Sequence, residues 1–311
     1  MRTSYRYSTP QWKMKLNFLE NTLPPNFPPI SSSVTGSFGE LLQGELPGEK
    51  EFLVTCPINI SSTSYFYQNN NIRSVEVYPP CKTKTKQAIK LYLDYLKKSV
   101  YGLLIIDSHI ENGKGLASST ADIVSALRTI SKVLRQPITA VEIENILRHI
   151  EPSDGVMYDT PVVFQHRKVK LLKQLQPLPD CVIFAVDEGG KLDTISYNRH
   201  YLNYSFEEQK QFADLLNKLE NAIHNRNLSD IGQVATASTK IHQQRLPKQH
   251  FEWFSALQCE IGALGIINSH SGTMMGMLLD INCDTFPEQI IYLSKKTTAN
   301  GLFHRIFSLA N

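Results

Sequence analysis

Mixed α and β structure is what this sequence predicts, on three observations. Short runs rich in β-branched and aromatic residues alternate along the chain with longer stretches whose apolar residues recur at helical spacing. One apolar run, Leu103-Leu104-Ile105-Ile106, leads through a glycine-rich loop into such a helical stretch. The 311 residues, 41% hydrophobic and 20% charged, have a globular composition with apolar material for one large core or two medium ones.

Composition also excludes several classes. A net charge of +3 is too small to argue for nucleic acid or an acidic membrane surface as partner. No apolar run approaches the roughly 18–20 residues of a membrane-spanning helix, and no secretory apolar region stands near Met1. The cysteines at 56, 81, 181, 259 and 283 are scattered and odd in number, without a C-x-x-C pair or a Cys/His cluster. They read as reduced thiols in a cytoplasmic protein, with no zinc site.

In chain order, residues 1–33 read as a flexible extension, basic at first and then rich in proline, with a serine run at 31–33. Val34–Gly44 suggests a strand entering a tight turn, with Glu40 and Gln43 as polar residues that either line a site or sit exposed. Phe52–Tyr67 is strand-like, Gln68–Asn71 signals a turn, and Ile72–Tyr78 reads as the returning strand. Residues 83–100 fit an amphipathic helix whose lysines form a solvated face. A helix follows the glycine loop through Ile123, Val124, Leu127, Ile130 and Leu134. Thr139 and Glu142 form a capping box for a further helix that runs to about Ile150. Val156–Gln165 is extended, and Leu171–Pro179 is a connector punctuated by prolines. Cys181–Val186 reads as a buried strand ending in the polar loop Asp187–Thr194. Helices at 205–224, 228–243 and 250–263, a strand at Gly265–Asn268, a small-residue loop at Ser269–Gly276, and a final helix and strand complete the chain.

The loop Gly113-Lys114-Gly115-Leu116-Ala117-Ser118-Ser119-Thr120 carries the chemistry. Small residues let a ligand approach the backbone, and the first N–H groups of the following helix lack intrahelical partners at the positive end of its dipole. Such a place binds phosphate. The plain alternative is a serine-rich cap after a glycine turn. The loop fits neither G-x-x-x-x-G-K-[ST] nor G-x-G-x-x-G, so it is neither a Walker A nor a Rossmann motif.

G-K-G-L-A-S-S-T-A at 113–121 resembles the phosphate loop of the GHMP small-molecule kinases, with Ala117 for a customary glycine and Thr120 for an alanine. Val34–Gly44 and Ser269–Gly276 resemble the family's first and third motifs, in the same order. G-E-L-L-Q-G at 39–44, E-P-S-D at 151–154, D-E-G-G-K-L-D-T at 187–194 and H-S-G-T at 270–273 are most similar to the L-threonine kinase branch. That branch serves cobalamin biosynthesis and propanediol utilisation.

The resemblance implies an α+β, two-domain GHMP kinase fold. A ribosomal protein S5 domain 2-like unit would span 34–172, and a ferredoxin-like unit 173–311. It implies ATP and Mg2+ as cofactors, a small amino-acid alcohol as substrate, no nucleic acid or membrane partner, and leaves room for a homo-oligomer. Residues 113–120, Ser271 and Gly272 would hold ATP. Ser119, with Glu144 or Glu151, would hold Mg2+, and Asp154 would be the catalytic aspartate. Glu40, Gln43, Asp193, Thr194 and His270 would contact the amino acid. The lysine that many GHMP kinases carry in the first motif is absent, with Ser37 and Phe38 near its place. A kinase for homoserine, serine or another small alcohol, or a non-catalytic nucleotide-binding regulator, remains an alternative reading.

Overall fold

The computed structural model describes residues 28–48, 50–189, 204–269 and 272–310. Its framework is a long antiparallel ribbon of β1 (Ile30–Leu46) and β2 (Lys50–Gln68). Ser31–Ser33, expected in the extension, belong to β1, where they pair with Tyr65, Ser64 and Thr63. The aromatic and β-branched residues of β2 supply the partners, and pairing overrides the weak strand preference of serine. Shifts of register between Thr35 and Leu42 bulge the ribbon. Bulges of this kind re-aim side chains, and this one lies where the site forms.

β4 (Gly102–Ser108) adds to β2 antiparallel, and β3 (Val75–Tyr78) adds to β4 in parallel. Ile72–Tyr78 therefore does not return along β2 as expected. Only its second half is a strand, and β4 stands between the two. The crossover that a parallel pair requires is α1 (Thr83–Leu96). α2 (Ser118–Val133) follows the glycine loop. α3 (Ala140–Leu147) has both bonds of the Thr139/Glu142 capping box but stops three residues short of Ile150. β5 (Val162–Gln165) pairs with β2 and with β6 (Lys170–Gln174), so the first part of the expected connector at 171–179 is a strand. The prolines that suggested a connector come after it.

The rest of the chain runs β7 (Val182–Asp187), α4 (Phe206–His224), α5 (Leu228–Gln243), α6 (Phe251–Ile261), β8 (Gly265–Asn268), β9 (Met274–Leu279), α7 (Phe286–Ala299) and β10 (Phe303–Ser308). Its strands lie in the order β10-β7-β9-β8, all antiparallel. That is the expected ferredoxin-like order. β8 meets β1 through one pair, Glu40 with Asn268, and this joins all the strands into one sheet.

One core runs through both halves of the chain. Phe212 of α4 stacks edge-on against Phe52 of β2 at 6.4 Å and lies over Gly44 of β1, where a Cβ would stand 2.5 Å from the ring. A smaller cluster, with Phe184, Phe254, Met275, Met277 and Leu293, fills the other face of the second half. The helices of the second half thus hold β1 and the site it carries.

Candidate active site

The link from β4 to α2 owes its shape to small residues. Gly113, Gly115 and Ala117 have φ of 76°, 73° and 60°. Ala117 is the N-cap of α2 and makes no side-chain cap bond. The first N–H groups of the helix are therefore left without a side-chain acceptor at their positive end. Two donors from β1 fix the loop from below, Gly39 N to Gly115 O at 3.0 Å and Ser37 N to Leu116 O at 3.3 Å. The third small-residue stretch closes from the side. A Cβ on Gly272 would stand 2.1 Å from the carbonyl carbon of Lys114, and one on Gly115 would stand 2.6 Å from Cβ of Ser269. Three stretches far apart in sequence thus meet backbone to backbone at the β1–β8 junction.

Lys114 turns away from the loop to pair with Asp187 at 2.6 Å. Asp187 ends β7 and also accepts from Thr273 Oγ1 at 2.6 Å and Gly189 N at 3.0 Å. Burial works against its charge, but these donors prevail and hold its carboxyl below the usual range.

In front of the loop lies a cavity of about 290 Å³. Residues Gly113 and 115–120 line one side, and Glu40, Gln43 and Leu53 of the β1–β2 ribbon form another. The turn 151–154, Lys84 of α1 and His166 complete it. The main chain of Gln43 is held by Ser238 Oγ at 3.2 Å and His242 Nε2 at 3.0 Å, both from α5. Burial pushes the carboxyl of Asp154 up to about 7, with the carboxylates of Glu40 and Glu151 adding to it. Glu151 accepts from the Ser119 hydroxyl on one oxygen and pairs with Lys84 on the other. The cavity therefore combines helix-end amides, a hydroxyl–carboxylate pair and a carboxyl poised to exchange a proton near neutrality.

Glu144 does not join this group. It is 3% exposed and accepts from Tyr158 Oη at 2.7 Å and Leu171 N at 2.9 Å, with Arg148 at 3.1 Å. Because α3 ends at Leu147, the turn after it brings Glu151 to the loop and leaves Glu144 facing β6. Glu144→Ala strips acceptors from buried donors and is expected to cost about 1–3 kcal/mol in a denaturant titration. Turnover per folded molecule should not change, which an activity assay on the same samples checks.

Asp193, Thr194, His270 and Ser271 lie outside the described residues. Three further residues line the cavity without a local signal in the sequence. Lys84 belongs to the solvated lysines of α1 and stays largely exposed while it pairs with Glu151, and Leu53 and His166 reach the cavity through pairing of β1, β2 and β5. Among the described residues no three or more His, Cys, Asp or Glu gather as a metal site, and no helix is long and apolar enough to cross a membrane.

Residues 83–164 match the family model described as GHMP kinases N terminal domain. The chain is 24% identical over 249 residues to the L-threonine kinase of Citrobacter freundii, covering 79% of this chain and 85% of that protein. It is 25% identical over 257 residues to the L-threonine kinase of Salmonella typhimurium, covering 78% and 81%. Among solved structures, the mevalonate kinase of Methanococcus jannaschii superposes with a TM-score of 0.73 at 14% identity, covering 93% of this chain and 100% of that one.

Proposed function

We propose that this chain, a GHMP-type kinase that uses ATP to phosphorylate an alcohol, acts on the side-chain hydroxyl of L-threonine. The products are L-threonine O-3-phosphate and ADP. The observation that carries the reading is the cavity in which Asp154 and Glu151 line the space before the N-terminus of α2, with Ser119 of that helix donating to Glu151. The choice of threonine rests on similarity to two L-threonine kinases along about four-fifths of the chain. We further propose a cytoplasmic setting and a role in making the aminopropanol arm of cobalamin.

In this reading the N–H groups from Gly115 to Ser119 cradle the ATP phosphates, while Gly272 and Ser271 support them. The Ser119 hydroxyl and the Glu151 carboxylate are hard oxygen donors that fit Mg2+, which prefers few protein ligands beside phosphate and water. Bound there, Mg2+ supplies charge neutralisation for the phosphate oxygens. Asp154 orients the threonine hydroxyl and takes its proton as the oxygen bonds to the γ-phosphorus, and the bond from that phosphorus to the β–γ bridging oxygen breaks. Glu40 accepts from the substrate ammonium, and the Gln43 amide donates to its carboxylate. Asp193, Thr194 and His270 complete the amino-acid side.

The test is ATP-dependent phosphorylation of L-threonine, L-serine and L-homoserine side by side, with products identified by mass and by position of the phosphate. Threonine O-3-phosphate is expected, with kcat/KM about 10–200-fold above serine, the range that one methyl group in a pocket supplies. Turnover on homoserine or serine alone would move the chain to another branch. ATP binding without turnover on any alcohol would favour a regulator.

A further inference from the structure

Lys248 lies in the link between α5 and α6 and is only 6% exposed. Its backbone N–H donates to Gln243 Oε1 at 2.7 Å, which fixes the start of the side chain. Its ammonium donates to the main-chain carbonyls of Ser269, at 3.1 Å, and of Gly272. These are the two residues that press on the phosphate loop, Ser269 against Gly115 and Gly272 against Lys114. Three carboxylates face the ammonium, Glu188 and Asp187 from the end of β7 and Glu40 from β1. Of these, Glu188 is held by His250 N at 2.7 Å, and Asp187 carries Lys114.

We infer that Lys248 is a positioning residue for the nucleotide: its ammonium clamps the Ser269–Gly272 turn against the phosphate loop and so sets the affinity for ATP. This rests on the loop being the ATP-phosphate site. Other bonds tie this stretch to β9 and to the end of β7, Ser269 N to Met274 O, Glu188 N to Thr273 O and Thr273 Oγ1 to Asp187, and the lysine alone adds a cation at the carbonyls of both Ser269 and Gly272 among the described residues. The lysine ties the stretch to α6 through Phe251 N, which donates to Lys248 O at 3.3 Å, and its ammonium shares the field of Asp187 with Lys114 of the loop. The arrangement costs stability. Burial lowers the pKa of Lys248 from its ordinary 10.5 to about 8, against the pull of Glu188, Glu40 and Asp187. The unfolded chain then holds this proton more tightly than the folded one, so folding stability rises with pH between those two values. An apolar residue would fill the space without that penalty. A cation retained at this cost, on the turn that seats the loop, is explained by the loop's anionic ligand.

The test is equilibrium binding of Mg·ATP, with steady-state kinetics, for wild type, K248M and K248R. K248M is expected to weaken ATP binding about tenfold or more, with KM for the alcohol within about twofold of wild type. Wild-type ATP affinity is expected to fall as pH rises through about 8, and K248R, which keeps its charge, should not follow that fall. Equal ATP affinity in wild type and K248M would overturn the inference and leave the kinase reading intact. No ATP binding by the wild type would overturn the kinase reading itself. Should K248M not fold, K248Q, whose neutral amide can still donate to these carbonyls, takes its place, and wild-type ATP affinity in that variant overturns the clamp.

Discussion

Asp154→Asn is expected to lower kcat by about 10²–10⁴-fold while ATP binding is retained, because the asparagine keeps the shape of the side chain and loses its basicity. Stopped-assay turnover and nucleotide binding on the same protein check both halves. The pH profile adds a sharper signature. Burial, reinforced by Glu40 and Glu151, puts the carboxyl of Asp154 at about 7, so its basic form is lost below that pH. In wild type kcat/KM should therefore fall about tenfold for each pH unit below about 7. Stability moves the other way. An acid whose folded pKa is raised above its ordinary 3.8 contributes stability that is full below that value and lost as pH rises through about 7. Asp154→Asn removes this loss, so its thermal midpoint should exceed that of wild type at about pH 8, with the gain shrinking toward about pH 5. A variant that is less active yet more heat-resistant at high pH, and only there, separates a strained functional carboxyl from one that merely supports the fold.

What was legible in the sequence was what local interactions decide. The helix after the glycine loop declares itself by apolar spacing. The capping box at Thr139 and Glu142 forms because both halves of it lie within one turn. The three small-residue stretches were legible as chemistry, since glycines at 39, 115 and 272 stand where backbone meets backbone. Pairing between distant segments was not legible. Nothing in Ile72–Tyr78 says that β4 will lie between it and β2. The acids at 144 and 151 look equivalent in sequence, and only the end of α3 at Leu147 sends one to the loop and the other to β6. Lys248 illustrates the same limit. A lysine beside a proline reads as solvated, and its burial against a remote turn is a property of the fold.

Gly272→Ala should be the most damaging single methyl in the molecule for nucleotide binding. The added carbon would stand 2.1 Å from both the carbonyl carbon and the oxygen of Lys114 and 2.3 Å from Gly115 N. All three are main-chain atoms, so no rotamer change relieves the contact, and the turn must move off the phosphate loop by about an ångström or more to reach ordinary packing distance. The loop's amides then no longer converge on one point, and misplacement of that size costs about 10²-fold in a positioned reaction. ATP affinity is expected to fall by at least that factor, read by calorimetry, with an overpacking penalty of about 1–3 kcal/mol in a urea titration. Gly301→Ala is the matched control. Its φ of 69° imposes about 1–2 kcal/mol of backbone strain, but nothing lies within 4 Å of the added carbon. Gly301 follows α7, away from the loop. Gly301→Ala should therefore lose comparable stability and bind ATP as wild type does. If Gly272→Ala binds ATP no worse than that control, the contact between the third turn and the phosphate loop is packing alone, and the loop keeps its shape without it.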